Sequence, residues 1–162
     1  MVRITGRVLI AAVIAVASLG TESQMLPNPY GPPVSVAAAK TVAAAALAEA
    51  VKSHWNMAVA VVDPNGTLIY YEKMDNTQIG SAQVAINKAR SAALYKRPTK
   101  ALQDALASGG AGLRVLGLEG AVPVEGGVPL ISQGKIVGAI GVSGDTSEHD
   151  GQCASAGSAT IK

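Results

Sequence analysis

A tight turn, Asp63-Pro64-Asn65-Gly66, set between two apolar runs leaves this chain few folds to choose from. The runs are Met57–Val62 (MAVAVV) and Thr67–Lys73 (TLIYYEK). Proline fixes φ at the second turn position and glycine accepts a positive φ, so the chain reverses there. The whole reads as a β-hairpin. A second pair follows: Val128–Ser132 and Lys135–Val142 flank Gln133-Gly134, with Gly126-Gly127 before them and Gly141 and Gly144 at their end. A further short strand is expected around Val122-Pro123-Val124. Consecutive hairpins favour an antiparallel sheet, here of five strands, whose faces helices must cover.

The helices are legible between these runs. Ser35 is placed to cap a helix over Val36–His54, which is Ala-rich and lacks Gly and Pro. Ser81 to Tyr95 reads as a second, broken by Lys96-Arg97-Pro98. Thr99 is expected to cap a third over Lys100–Ala107, and a closing helix starts at about Ser147 or Asp150. Ser108–Gly112 reads as a loop and Leu113–Leu118 as a turn or a single helical turn. The fold class is therefore α/β of the α+β type. With no Phe and one Trp, the core has to be built from Ala, Val, Ile and Leu, and small side chains bring backbones close.

The first residues stand apart. Arg3 and Arg7 precede an apolar run, Val8 to Leu19, and small residues follow at Ser18 and Gly20. That is the order of a secretory signal, too short for a comfortable membrane span. The expected organisation is a signal over 1–23, a proline-rich arm over 24–33 and one domain over 34–162, in a secreted or periplasmic protein. The arm is extended and can reach a neighbouring subunit. No basic stripe with interleaved aromatics is present, so nucleic acid is not an expected partner, nor is a membrane once the signal is removed.

No nucleophile elbow, P-loop, HExxH, CxxC or CxxCH occurs. The candidate residues are scattered. His54 ends a helix, where it can ligate iron or simply complement the helix dipole. Asp145, Glu148, His149 and Asp150 form a tract that can hold a divalent metal or be the solvated start of a helix. Glu125, before Gly126-Gly127, can act as a base or as an ion-pair partner of Lys88. Gly-rich backbone can supply donors for an anion. Cys153 is the single cysteine, either activated by a helix start or inert and buried.

Three segments together resemble the GlcG/HbpS family of haem-binding-protein-like domains, to which the C-terminal domain of PduO-type adenosyltransferases is related. They are VAVVDPNGTLIYYEKMDNTQIGSAQVAINKARSAA, the RPT after it, and GAVPVEGGVPLISQGKIVGAIGVSGDTSEHDGQCASAG. The resemblance runs from about Val34 to the C-terminus. It implies a profilin-like fold with a five-stranded antiparallel sheet, assembly into a homo-oligomer, and haem or a related tetrapyrrole as ligand, with haem iron as the metal. Haem degradation has been attributed to the group, while other members accompany glycolate or diol metabolism. The alternative is therefore a small organic acid as ligand or substrate, held by Lys88, Glu125, Gly126 and Gly127. For haem, His54 is the first iron-ligand candidate by residue type, followed by Tyr71 and Met74.

Overall fold

The computed structural model describes residues 27–162, so the expected signal over 1–23 and the start of the arm lie outside the described residues. The order is α1 (Val36–Lys52), β1 (Ala58–Val62), β2 (Leu68–Lys73), α2 (Ser81–Leu94), α3 (Thr99–Ala107), a 3-10 helix (Gly110–Gly117), β3 (Gly127–Ser132), β4 (Lys135–Ser143) and α4 (Ser147–Ser158). The sheet order is β2-β1-β4-β3, with every neighbouring pair antiparallel. Among the described residues no helix is long and apolar enough to cross a membrane.

The first hairpin closes as its residues require. Asp63 Oδ1 accepts from the N–H groups of Asn65 (2.8 Å) and Thr67 (2.9 Å), and Gly66 takes φ +81°. The expected fifth strand does not form at Val122–Val124. The Val122 N–H donates to Ser91 Oγ (3.0 Å) and the Glu125 N–H to Gln103 Oε1 (2.8 Å), so helix side chains take the donors a strand would offer a neighbour. Pro123 between them has no donor. Thr99 also departs from expectation. Pro98, not Thr99, occupies the N-cap position of α3, without a side-chain cap bond, and the Thr99 hydroxyl accepts from the Gly127 N–H at 2.9 Å.

Alternation along the strands separates two cores. Val59, Val61, Ile140 and Val142 face α1 and α4, together with Val42, Ala46, Leu130, Cys153 and Ala154. Ala58, Ala60, Val62 and Ala139 face α2, meeting Ala85, Ala89, Ala92 and Ala93. The second face is nearly all alanine, and there the helix backbone sits directly on the sheet. A Cβ added at Gly141 would overlap the Ala85 carbonyl oxygen and lie 2.5 Å from Ala89 N. The shortage of large apolar side chains is thus met by close approach.

The described part of the arm is pinned to β4. Ile136 N–H donates to the Pro29 carbonyl, and the N–H groups of Gly31 and Val34 donate to Ile136 and Val137. The Tyr30 hydroxyl donates to the Ala93 carbonyl (3.0 Å), with Lys96 Nζ 4.2 Å from the ring centroid. Within this chain, therefore, Pro29–Val34 holds its own domain.

Candidate functional site

The candidate residues gather in two places. The first is the mouth of the second hairpin. Lys88 lies on the buried face of α2, between the buried Ala85 and Ala92. Its Nζ donates to Asp150 Oδ2 at 2.6 Å, and the two side chains are 1% and 4% exposed. Asp150 comes from the first turn of α4, so the pair joins helices from opposite faces of the sheet. Burial pushes the Asp150 carboxyl above its ordinary range, and the Lys88 ammonium pulls it back. The second Asp150 oxygen accepts from the Asp145 N–H (3.3 Å).

Gly126 closes over this pair. It adopts φ +125°, and a Cβ there would lie 2.8 Å from Asp150 Cβ and 2.9 Å from Lys88 Nζ. Only glycine fits both the conformation and the space. Glu125 is not the partner of Lys88, because the Lys88 ammonium already faces Asp150. The Glu125 carboxylate lies against Gly151, where a Cβ would meet its Cγ at 2.7 Å. A cleft of about 250 Å³ opens here, lined by Lys100, Glu125, Gly126, Gly127, Gly151 and Ser155 among others. Lys100 holds Asp104 at 2.9 and 3.0 Å. Both lysines of this region are therefore already matched by carboxylates, the Gly127 N–H is taken by Thr99, and the Glu125 carboxylate repels an anion. The residues lining this cleft give an organic acid no unmatched cation.

The second place is the edge around Trp55. His54 occupies the position just past α1, at φ +61°. Its N–H donates to the Val51 carbonyl (3.1 Å) and the Trp55 N–H to the Ala50 carbonyl (2.9 Å), the two bonds of a Schellman terminus. The imidazole is exposed. The Trp55 ring stacks on His149, with centroids 3.8 Å apart and planes at 13°. His149 Nδ1 lies 2.8 Å from Asp145 Oδ1. The Thr146 hydroxyl accepts from the His149 N–H (3.3 Å) and caps α4. The Asp145 carboxyl is held below its ordinary range, first by the Thr146 N–H and then by His149. Glu148 is lowered too, chiefly by a backbone hydrogen bond at the helix start.

The acidic tract is therefore divided. Asp150 turns inward to Lys88, Asp145 serves His149, and Glu148 stays exposed. Among the described residues no three His, Cys, Asp or Glu side chains gather as a bare metal ion requires. Tyr71 is half-buried against the alanine face, and burial raises its phenol above the usual range. Met74 Sδ accepts from the Met57 N–H (3.4 Å). Burial pushes the Cys153 thiol up to about 12, which removes it as a nucleophile or thiolate ligand near neutral pH.

Sequence reasoning missed the Lys88–Asp150 pairing and the roles of Thr99, Gln103 and Trp55. One signal was present. Lys88 falls among alanines on the apolar face of a helix, and a lysine there requires a buried carboxylate. Nothing local pointed to one 62 positions away.

The comparisons with known proteins can now be set beside this geometry. The model of the family described as haem degrading protein HbpS-like matches residues 34–159. The chain belongs to the HbpS-like family. Protein GlcG of Escherichia coli K12 is 36% identical over 105 residues, which are 65% of this chain and 77% of GlcG. The crystal structure of HbpS superposes with a TM-score of 0.74 at 31% identity, covering 82% of this chain and 92% of that one. A PduOC:haem complex superposes with a TM-score of 0.72 at 26% identity, covering 80% and 96%. The HbpS-like fold is thus shared across the domain: helices on both faces of an antiparallel sheet, with four strands in this chain.

Proposed function

We propose that this protein binds haem, as a secreted or periplasmic member of the HbpS-like family. The observation that carries the reading is the family match over residues 34–159, supported by likeness to a neighbour that is itself a haem complex. Haem iron is held in proteins by His, Cys, Met or Tyr. Four clefts of about 250 to 410 Å³ are present among the described residues, and none of these four is lined by such a side chain. Haem therefore binds outside these four clefts.

The candidate ligands rank by their engagement. Met74 already accepts a backbone hydrogen bond, and burial disfavours the Tyr71 phenolate. Two imidazoles remain with the right donor, His54 just past α1 and His149 stacked on Trp55. This donor set fits a porphyrin, which brings four nitrogens of its own and needs only one or two ligands from the protein. Bound haem would supply a redox-active iron. Haem storage, sensing and degradation all begin with this binding step.

Hemin and small carboxylic acids separate the two ligand classes in one thermal-shift experiment. A ligand that binds only the folded chain raises its midpoint by mass action, about 2.7 kcal/mol at a hundredfold excess over Kd. Hemin is expected to raise the midpoint and hydroxy acids to leave it unchanged. Stabilisation by an acid and none by hemin would reverse the assignment.

A further inference from the structure

The geometry points to His149, held by Asp145 and Trp55, as the side chain that ligates haem iron, an inference that rests on the haem-binding reading above. Asp145 is acceptor-only when ionised, so the 2.8 Å contact places the proton on His149 Nδ1. In the neutral imidazole the lone pair then lies on Nε2, the nitrogen a metal takes, and Nε2 has no hydrogen-bond partner among the described residues. A carboxylate behind a ligating imidazole fixes the tautomer, aims the ring and raises its basicity.

Three observations converge on this ring. The Asp145 bond sets its tautomer. The Trp55 stack, at 3.8 Å and 13°, sets its plane. The side chain remains 38% exposed, so the free nitrogen is reachable. The edge is tied together from both sides, since Gln152 Nε2 of α4 donates to Glu49 Oε1 of α1 at 2.6 Å. His54 lacks such support: no hydrogen bond to its ring orients it among the described residues. Its conformation is explained by helix termination alone.

The same facts argue for haem over a free divalent ion. A zinc or calcium site needs several protein ligands, and none gathers at this edge. A metal whose equatorial positions are filled by a porphyrin needs one well-aimed imidazole, and one is what the fold presents.

Hemin titration of the full chain, with resonance Raman detection after dithionite reduction to ferrous haem, tests this, using His149→Ala, His54→Ala and Asp145→Asn. The unaltered chain is expected to show an iron–histidine signature and saturable binding. His149→Ala is expected to lose that signature, bind at least about tenfold more weakly, and regain an iron–imidazole signature on adding free imidazole. Asp145→Asn should keep the histidine ligand but weaken it, lowering the iron–histidine frequency, with about a 10- to 100-fold loss of affinity. His54→Ala should behave as the unaltered chain. An unchanged signature in His149→Ala, with its loss in His54→Ala, overturns the inference and leaves haem binding standing. Hemin that fails to saturate the unaltered chain overturns haem binding itself.

Discussion

Lys88 and Asp150 form the residue pair on which the second hairpin rests. At 1% and 4% exposure neither charge has water to fall back on. Removing one partner strands the other, and that costs far more than the pair contributes by itself. Lys88→Met is expected to lose about 3–5 kcal/mol in urea unfolding. Lys88→Met combined with Asp150→Leu should recover most of that loss, because no buried charge remains. A single variant as stable as the unaltered chain would contradict the burial described. The pair also explains Gly126, whose missing side chain leaves room for both partners. Lys88 was recognisable as a misfit on an apolar helix face, but its partner was not. Glu125 stood beside the glycines in sequence and drew the expectation, while Asp150 looked like one more acid in a metal tract.

At the scale of elements, the helix α2 lies on β4 through Gly141, and the alanine face depends on that approach. Gly141→Ala is expected to destabilise by about 1–3 kcal/mol or more, since backbone of Ala85 and Ala89 cannot yield as a flexible side chain would. Gly117→Ala, with open space around it, should change stability by less than about 0.5 kcal/mol. Chemical denaturation of the two variants side by side checks the contrast. The hairpins, their turns and all four α-helices were readable in the sequence because local chemistry decides them: Pro64 and Gly66 in one turn, Ser35 at one cap. The strand expected at Val122–Val124 was not, because the Val122 N–H goes to Ser91 and the adjoining Glu125 N–H to Gln103, 31 and 22 positions away. The Thr99 cap failed for the same reason, its hydroxyl being drawn to Gly127. The stacking of Trp55 on His149 joins the end of α1 to the start of α4 and leaves no trace in either neighbourhood.

For the molecule as a whole, α4 contributes both to the cleft at Glu125 and to the open edge at Trp55, and the two places suit different ligands. In the cleft, Lys100 is already matched by Asp104. The edge offers imidazole nitrogen to solvent. The proposal of haem as ligand draws on family membership and on the edge chemistry, and both concern the same domain, residues 34–159. The most direct measurement is a titration of purified full-length chain with hemin, followed by absorbance in the Soret region. The account predicts a shifted Soret band that saturates at a fixed ratio of haem to chain. A featureless rise, linear in added hemin and matched by an unrelated protein of the same net charge, would contradict it.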